Sequence, residues 1–143
     1  MTAVETRPAH DPNADIIEEF RANEGRVGGF FTGFDLLLLH HRGARSGVER
    51  INPLAYQAVD GGYAIFASKG GADDNPAWLY NVLANPDTVV EVGTDTIAVQ
   101  AHEAVGDEYE RIWSQQKSDY PQFAEYERRT ARDRIPVVVL ERV

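Results

Sequence analysis

Two short basic segments that contain glycine lie close together in an otherwise acidic sequence. The first runs from Arg42 to Arg50, and the second, Ser68-Lys69-Gly70-Gly71, is followed closely by Trp78. Glycine allows backbone N–H groups to approach an anion, and Arg or Lys neutralises its charge. The tryptophan can supply a flat apolar surface. These residue types together favour a ligand that joins a phosphate group to a flat ring, as in nucleotide-like or flavin-like cofactors.

The distribution of charge supports an anion site at these two segments. The formal net charge of the 143 residues is −9 at pH 7, whereas residues 36–71 contain four cations and only two acids. A negative surface disfavours nucleic acid as a partner. A positive region within that surface concentrates a small anion there.

Several classes of site are disfavoured by what the sequence lacks. The absence of cysteine excludes disulfides, thiolate nucleophiles and cysteine-ligated metals. The glycine spacings of Walker and Rossmann loops do not occur, and neither does the nucleophile elbow of α/β-hydrolases. His40 and His41 are adjacent in a predicted strand and therefore point to opposite faces, so no metal site is expected.

Three aromatic residues recur at a spacing of three near the C-terminus. Tyr120, Phe123 and Tyr126 would share one face of a helix. The stripe has two interpretations that the sequence leaves open. It is either an aromatic packing surface or a wall over a flat ligand, with tyrosine hydroxyls able to donate protons.

The elements that must position these residues follow from hydrophobic periodicity and turn signals. Residues 1–12 are expected to form a flexible tail, and residues 13–143 a single domain. The pattern predicts helices over about 13–23, 76–84, 106–118 and up to 132, and strands over 36–39, 51–59, 63–67, 88–92, 96–104 and 135–140. This order lacks the strand–helix alternation of a parallel sheet. With its mostly short connections, it favours an antiparallel barrel decorated by helices.

Taken in order, short segments along nearly the whole chain resemble the deazaflavin-dependent nitroreductase family, which is typical of mycobacteria and related actinobacteria. The segments that carry this resemblance are Phe20-Arg21-Ala22-Asn23, Gly25 to Gly29, Leu36 to Leu39, Arg45-Ser46-Gly47, Arg50, Pro53-Leu54, Ala67 to Gly71, Pro76-Ala77-Trp78, Asn81, Ala84-Asn85-Pro86 and Ile135 to Leu140. The ordered set is specific, although no single piece is.

The resemblance implies an α+β fold, a mostly antiparallel split β-barrel like that of FMN-binding split-barrel proteins. It also implies the cofactor coenzyme F420, a 5-deazaflavin that carries a phosphate and an oligoglutamate tail. Arg45, Arg50 and Lys69 match the cations of the family on the phosphate side. The full set of cofactor-binding residues implied is Ala44, Arg45, Ser46, Arg50, Ile51, Asn52, Pro53, Ala67, Ser68, Lys69, Ala77, Trp78 and Asn81.

The implied activity is that of an F420-dependent oxidoreductase. It would transfer a hydride between reduced deazaflavin and a small organic acceptor, which is a quinone, an enone or an activated nitro compound. Tyr120, Phe123 and Tyr126 would contact the acceptor, and the proton would come from Tyr126, Tyr120 or water. Two positions depart from the family pattern. His40-His41 replaces a frequent Thr-Thr pair, and Phe123 replaces a third tyrosine, which predicts weak activity on bulky nitroimidazoles.

Other readings stay open at this point. The same fold could bind FMN or haem, or the chain could be a carrier that binds F420 without catalysis. A homodimer is one open arrangement, and contact with a membrane surface through the N-terminal helix is another. No secretory signal or membrane-spanning stretch is visible, which favours a cytoplasmic location, with membrane association left open.

Overall fold

Six antiparallel strands close into a barrel in the computed structural model, which describes residues 12–143. Around the barrel the strands follow the order β1, β2, β3, β6, β5, β4, and β1 pairs with β4 to close it. This confirms the expected antiparallel split barrel with helices. The strands are β1 (Leu36–Arg42), β2 (Glu49–Val59), β3 (Gly62–Phe66), β4 (Asp87–Val92), β5 (Asp95–Glu103) and β6 (Val137–Arg142).

Within residues 12–143, four α-helices decorate the barrel in the predicted positions along the chain. They are α1 (Pro12–Ala22), α2 (Ala77–Ala84), α3 (Gly106–Asp119) and α4 (Gln122–Arg129), and short 3-10 turns cover Gly29–Phe31 and Lys69–Gly71. Apart from Pro12, the predicted tail over residues 1–12 lies outside the described residues. Across residues 12–143, no helix has the length and apolar character needed to cross a membrane.

Strict alternation along β1 sorts its side chains between the two faces of the barrel wall. Leu37 and Leu39 are fully buried in the barrel interior, whereas Leu36 and Leu38 pack on the outer face against Phe20 of α1. The same alternation separates His41 from His40. The interior position leaves His41 with only 4% of its surface exposed, as expected for adjacent strand residues that point to opposite faces.

Helix α2 is packed into the interior cluster of the barrel. Trp78, Leu79 and Val82 are buried there among side chains from several strands. Pro76 is the N-cap residue, one position before the helix, with a φ of −69° that its ring favours. This packing fixes the start of α2 beside the basic segment Ser68–Gly71.

A second apolar cluster covers the outer face of β3 and β6. Phe66 of β3 contacts Trp113 of α3 and Phe123 of α4, with ring centroids 6.0 and 5.6 Å apart. Strand β6 starts at Val137, two residues later than predicted, because Pro136 has no N–H for a strand ladder. The Pro136 carbonyl instead accepts the N–H of Ala67 at 2.9 Å.

The barrel wall opens along the first half of β2. Strand β1 pairs with β2 over Glu49–Ala55, whereas β3 pairs only with Tyr56–Val59. Beyond that point the chain after β3 turns away, so in the described part of the chain no strand covers this edge of β2. The opening gives a ligand access between β2 and the segment that follows β3.

Candidate functional site

A cleft of about 200 Å³ lies at this opening. Six of the residues expected at the site from the sequence line it, from β2, the turn after β3, α2 and α4. They are Pro53, Ser68, Lys69, Trp78, Phe123 and Tyr126, and the other lining residues are Phe31, Phe34, Leu54, Ala55, Phe66, Gly70, Pro76 and Gln122. Segments that are distant in the sequence are therefore brought to one place.

The walls of the cleft are apolar and largely rigid. Trp78 and Phe123 are each 4% exposed and Phe66 is 6% exposed, so the surrounding core holds their rings in place. Pockets that take up whole small-molecule ligands usually measure about 300–1,000 Å³. A cleft of this size can hold the flat part of a cofactor such as F420, and its charged tail must lie outside.

The turn at Ser68–Gly70 presents backbone donors at the edge of the cleft. Ser68 is in the right-handed helical region (φ −71°, ψ −41°), and Lys69 (φ 48°) and Gly70 (φ 63°) follow in the left-handed region. This succession forms a concave nest of N–H groups that suits anionic or carbonyl oxygens. Within residues 12–143, the N–H groups of these three residues have no hydrogen-bond partner.

The three expected phosphate-side cations are in different states. The Lys69 ammonium pairs with Asp74, with Nζ and Oδ2 3.0 Å apart, and this bond lowers the pKa of Asp74. Arg45, in the loop between β1 and β2, and Arg50, near the start of β2, are exposed. Neither arginine has an ion-pair partner in the described part of the chain. Both are therefore available to an anion.

A chain of buried and partly buried hydrogen bonds ties the basic loop to α2 and β2. The Ala44 N–H donates to Asn81 Oδ1 (2.9 Å), and Asn81 Nδ2 donates to His41 Nδ1 (3.1 Å). His41 Nε2 in turn bonds to Asn52 Oδ1 (2.6 Å). These bonds are mutually consistent when His41 is neutral with its proton on Nε2.

Burial is the main reason that His41 stays neutral. It lowers the pKa of His41 below the ordinary 6.5, and the neighbouring charges of Arg50 and His40 act in the same direction, whereas the bond to Asn52 opposes them. A second proton on Nδ1 would face the amide hydrogens of Asn81. The fold thus holds the bond chain in one arrangement.

The two tyrosines expected to donate protons differ in position. Tyr126 lines the cleft, and its hydroxyl oxygen accepts Gln122 Nε2 at 3.1 Å, which leaves its own hydrogen free to be donated. Tyr120 does not line the cleft. Its hydroxyl donates to Gly33 O (3.3 Å), and burial with nearby Asp35 and Asp119 raises its pKa.

The other expected cofactor residues surround the cleft without lining it. Ala44 and Ser46 lie in the loop between β1 and β2, where Ser46 Oγ accepts the Val48 N–H at 3.1 Å. Ile51 packs against the outer cluster beside α1, Ala67 is buried directly before the turn, and Ala77 is the exposed first residue of α2. The exposed Ala44, Ser46 and Ala77 can contact the part of a ligand that extends beyond the cleft, whereas the buried Ala67 can only support the turn.

Arg132 is a residue of the site that sequence reasoning missed. It lies beyond α4, and its guanidinium donates to the carbonyl oxygens of Ala67 and Ser68, each at 2.8 Å. A single arginine in a polar, charged segment gives no sequence signal of this kind. His41 was also missed, although one polar residue on the interior face of a leucine-rich strand could have indicated a buried network.

The residues present fit a phosphorylated flat cofactor. Apolar ring walls, unpartnered N–H donors and unpaired arginines lie around one opening. A larger groove of about 1080 Å³ between the end of α1 and the turn joining β4 to β5 fits less well. Its charged lining residues are four acids and one cation, Glu19, Glu24, Asp35, Asp95 and Arg26, which would repel an anion.

Comparison with known proteins shows the family of this chain. The model of the F420H(2)-dependent quinone reductase family matches residues 15–142. The chain belongs to this family. It is therefore an oxidoreductase whose cofactor is coenzyme F420, which confirms the resemblance seen in the sequence. An F420H(2)-dependent quinone reductase of Mycobacterium tuberculosis is 36% identical over 127 residues, which cover 86% of this chain and 85% of that protein.

Several solved structures share the split-barrel fold of this chain. An F420-H2 dependent reductase is 37% identical, with a TM-score of 0.65 over 73% of this chain and 92% of that chain. A structure described as a domain-swapped dimer is 34% identical, with a TM-score of 0.69, and covers 92% of this chain and all of the other. The haem storage protein HutZ of Vibrio cholerae, 14% identical with a TM-score of 0.57, shares the fold alone; the match covers 92% of this chain and 90% of HutZ.

Proposed function

We propose that this protein uses reduced F420 to reduce a quinone by hydride transfer in the cleft at the opening of the barrel. The observation that carries this proposal is the convergence of ring walls, free N–H donors and a tyrosine hydroxyl on one cleft of about 200 Å³. The names of the family and of its mycobacterial relatives support a quinone as the acceptor.

The proposed binding mode divides the cofactor between two surfaces. The flat ring would lie in the cleft against Trp78, with the turn at Ser68–Gly70 beside its polar edge. The phosphate and the acidic tail would extend along β2 toward Arg45 and Arg50, and Lys69 would exchange Asp74 for the phosphate. The remaining expected residues, Ala44, Ser46, Ile51, Asn52, Pro53, Ala67, Ala77 and Asn81, would line this path or hold it in place.

Reduced deazaflavin supplies a hydride and disfavours single-electron steps. The protein has three tasks beside that chemistry. The buried rings of Phe66 and Phe123 exclude water from the cleft. The aromatic walls hold the acceptor over the ring, and the Tyr126 hydroxyl donates a proton to the oxygen that gains charge.

The choice among acceptors depends on Phe123. This residue is buried against Phe66, Trp113 and Tyr126 and presents no hydroxyl to the cleft. One hydride and one proton convert a quinone to a hydroquinone, so a single phenol can supply the one proton that the reaction needs. We propose enones and activated nitro compounds as slower acceptors, with bulky nitroimidazoles the slowest. A homodimer is a further proposal, which the domain-swapped relative favours.

Two matched variants test the proton donor. Tyr126→Phe removes the hydroxyl from the cleft, whereas Tyr120→Phe removes a hydroxyl that bonds to Gly33 outside it. We expect Tyr126→Phe to lower kcat for quinone reduction by roughly 100-fold, the usual effect of losing a general acid. Tyr120→Phe should change kcat little, and neither variant should weaken F420 binding. Equal kcat values in the two variants would contradict the role of Tyr126.

A further inference from the structure

Arg132 lies directly behind the turn that carries the backbone donors of the cleft. Its Nη1 bonds to Ala67 O (2.8 Å) and to Asn75 Oδ1 (2.7 Å), its Nη2 to Ser68 O (2.8 Å), and its Nε to Thr130 Oγ1 (2.8 Å). All of these acceptors are neutral. The described residues give Arg132 no carboxylate at ion-pair distance, so its charge is not neutralised by direct contact.

The geometry of a trans peptide fixes what these bonds do. The N–H of a trans peptide points opposite to its carbonyl. Arg132 holds the carbonyls of Ala67 and Ser68 on the side away from the cleft, since Ser68 and Lys69 line the cleft and Arg132 does not. The N–H groups of Ser68 and Lys69, which belong to the same two peptides, are thereby directed toward the cleft. The Gly71 N–H, which also bonds to Ser68 O (2.9 Å), helps Arg132 to hold the second peptide.

The charge of Arg132 also acts through those peptides. A cation bonded to a carbonyl oxygen draws electron density from the peptide, so the N–H at its other end becomes a stronger donor. The left-handed Lys69 (φ 48°) is a conformation that a side chain rarely adopts unless its surroundings hold it. The bonds from Arg132 supply part of that constraint.

We propose that Arg132 is a positioning residue that turns and strengthens the N–H groups of Ser68 and Lys69 toward an electron-rich oxygen of the deazaflavin ring. This inference rests on the proposed function. Reduction adds an electron pair to the ring, so the ring oxygens of the reduced cofactor are the better acceptors. Arg132 therefore favours the reduced form over the oxidised form.

The test compares the affinities of both cofactor forms in Arg132→Gln and in a matched control, Arg129→Gln. Arg129 is the last residue of α4 and donates to Gly70 O (3.0 Å), and the described residues give it no other hydrogen bond. We expect Arg132→Gln to lower the affinity for reduced F420 by about tenfold, equivalent to 1.4 kcal/mol. The affinity for oxidised F420 should fall by less. Arg129→Gln should leave the ratio of the two affinities unchanged. A purely structural role would weaken both forms by the same factor, and that result would overturn the proposal.

Two further arms keep the result unambiguous. A deazaflavin without phosphate should bind Arg132→Gln more weakly than the wild type, as F420 does. A loss of affinity confined to F420 would show that the N–H donors bind the phosphate, and it would overturn the assignment to the ring. Arg132→Lys keeps the charge but not the two-pronged geometry. Its affinity for reduced F420 should therefore be lower than that of the wild type and higher than that of Arg132→Gln. If Arg132→Gln is unstable, the comparison of Arg132→Lys with the wild type still tests the proposal. Wild-type affinity in Arg132→Lys would also contradict the proposal, whereas no F420 binding by the wild type would refute the proposed function instead.

Discussion

At the scale of single residues, His41 lies at the centre of a chain of hydrogen bonds. It connects the loop residue Ala44 to Asn81 of α2 and ends at Asn52 of β2, so one imidazole links three elements around the candidate site. The chain works only when Nδ1 accepts a hydrogen bond. The position of His41 therefore makes the loop sensitive to acid.

Acid should destabilise the protein through His41. Since folding lowers the pKa of His41, the unfolded chain binds a proton first as the pH falls below about 6.5. The contribution of neutral His41 is fully present above that pH and is lost as the pH falls toward its folded pKa. The difference in unfolding free energy between wild type and His41→Gln should therefore shrink from pH 8 to pH 5.5, as measured by urea titration. A difference that stays constant over this range would argue against the chain.

Residue types indicate the candidate chemistry of the site more readily than the residues that support it. Arg50, Lys69, Trp78 and Tyr126 could be selected because cations, aromatic rings and hydroxyls have direct chemical uses. The pairing of Lys69 with Asp74 depends on a left-handed turn, which has no signature in side-chain type at Lys69. The same limit applies to Arg132, whose acceptors are backbone carbonyls distant in the sequence.

At the level of elements, the turn after β3 is fastened to α4. Gly71 has a φ of 85°, and a Cβ on it would lie 3.0 Å from both the Cα and the carbonyl oxygen of Tyr126. Neighbouring Gly70 also has a positive φ (63°), but a Cβ there would meet no atom within 4 Å. The close contact at Gly71 sets the distance between the two walls of the cleft.

Two alanine substitutions separate this contact from backbone strain. Gly70→Ala should cost about 1–2 kcal/mol of unfolding free energy, the usual penalty for a left-handed side chain. Gly71→Ala should cost more, because the added methyl must also displace the backbone of α4 at Tyr126. Thermal and urea unfolding of both variants measure the difference. Equal losses would show that α4 is not held by this contact.

Elements were predictable to the extent that periodicity and turn residues define them. The order of helices and strands and the hairpin between β4 and β5 follow from apolar patterns broken by glycine and proline. Strand β2 begins at Glu49 rather than Ile51 because its pairing with β1 continues to Arg42. Such an extension depends on the partner strand, which the sequence of β2 does not contain.

At the scale of the whole molecule, the position of the site follows from incomplete pairing in a closed barrel. Strands β1 and β4 close the wall on one side, while the first half of β2 remains open on the other. The closure joins segments about 50 residues apart, so no local pattern predicts it. Resemblance to known split barrels supplied what local patterns could not.

The positive charge beside the opening gives an acidic protein a place where an acidic cofactor could bind. The net charge is −9, yet the exposed Arg45 and Arg50 lie along the loop and strand that border the opening. Local potential near a cleft is set by the nearest charges, because distant ones are screened within about 10 Å at 0.1 M salt. An acidic cofactor that binds at this opening, as we propose, would thus meet a positive region.

A titration on the fluorescence of Trp78 tests the central claim most directly. The chain contains two tryptophans, and Trp113→Phe leaves Trp78 as the only reporter. Reduced F420, FMN and haem are each added to this variant, with inner-filter correction from free tryptophan. We expect saturable quenching by F420 at tens of micromolar or below and much weaker quenching by FMN and haem. Absence of quenching by F420, or stronger quenching by FMN or haem, would contradict an F420 site at this cleft.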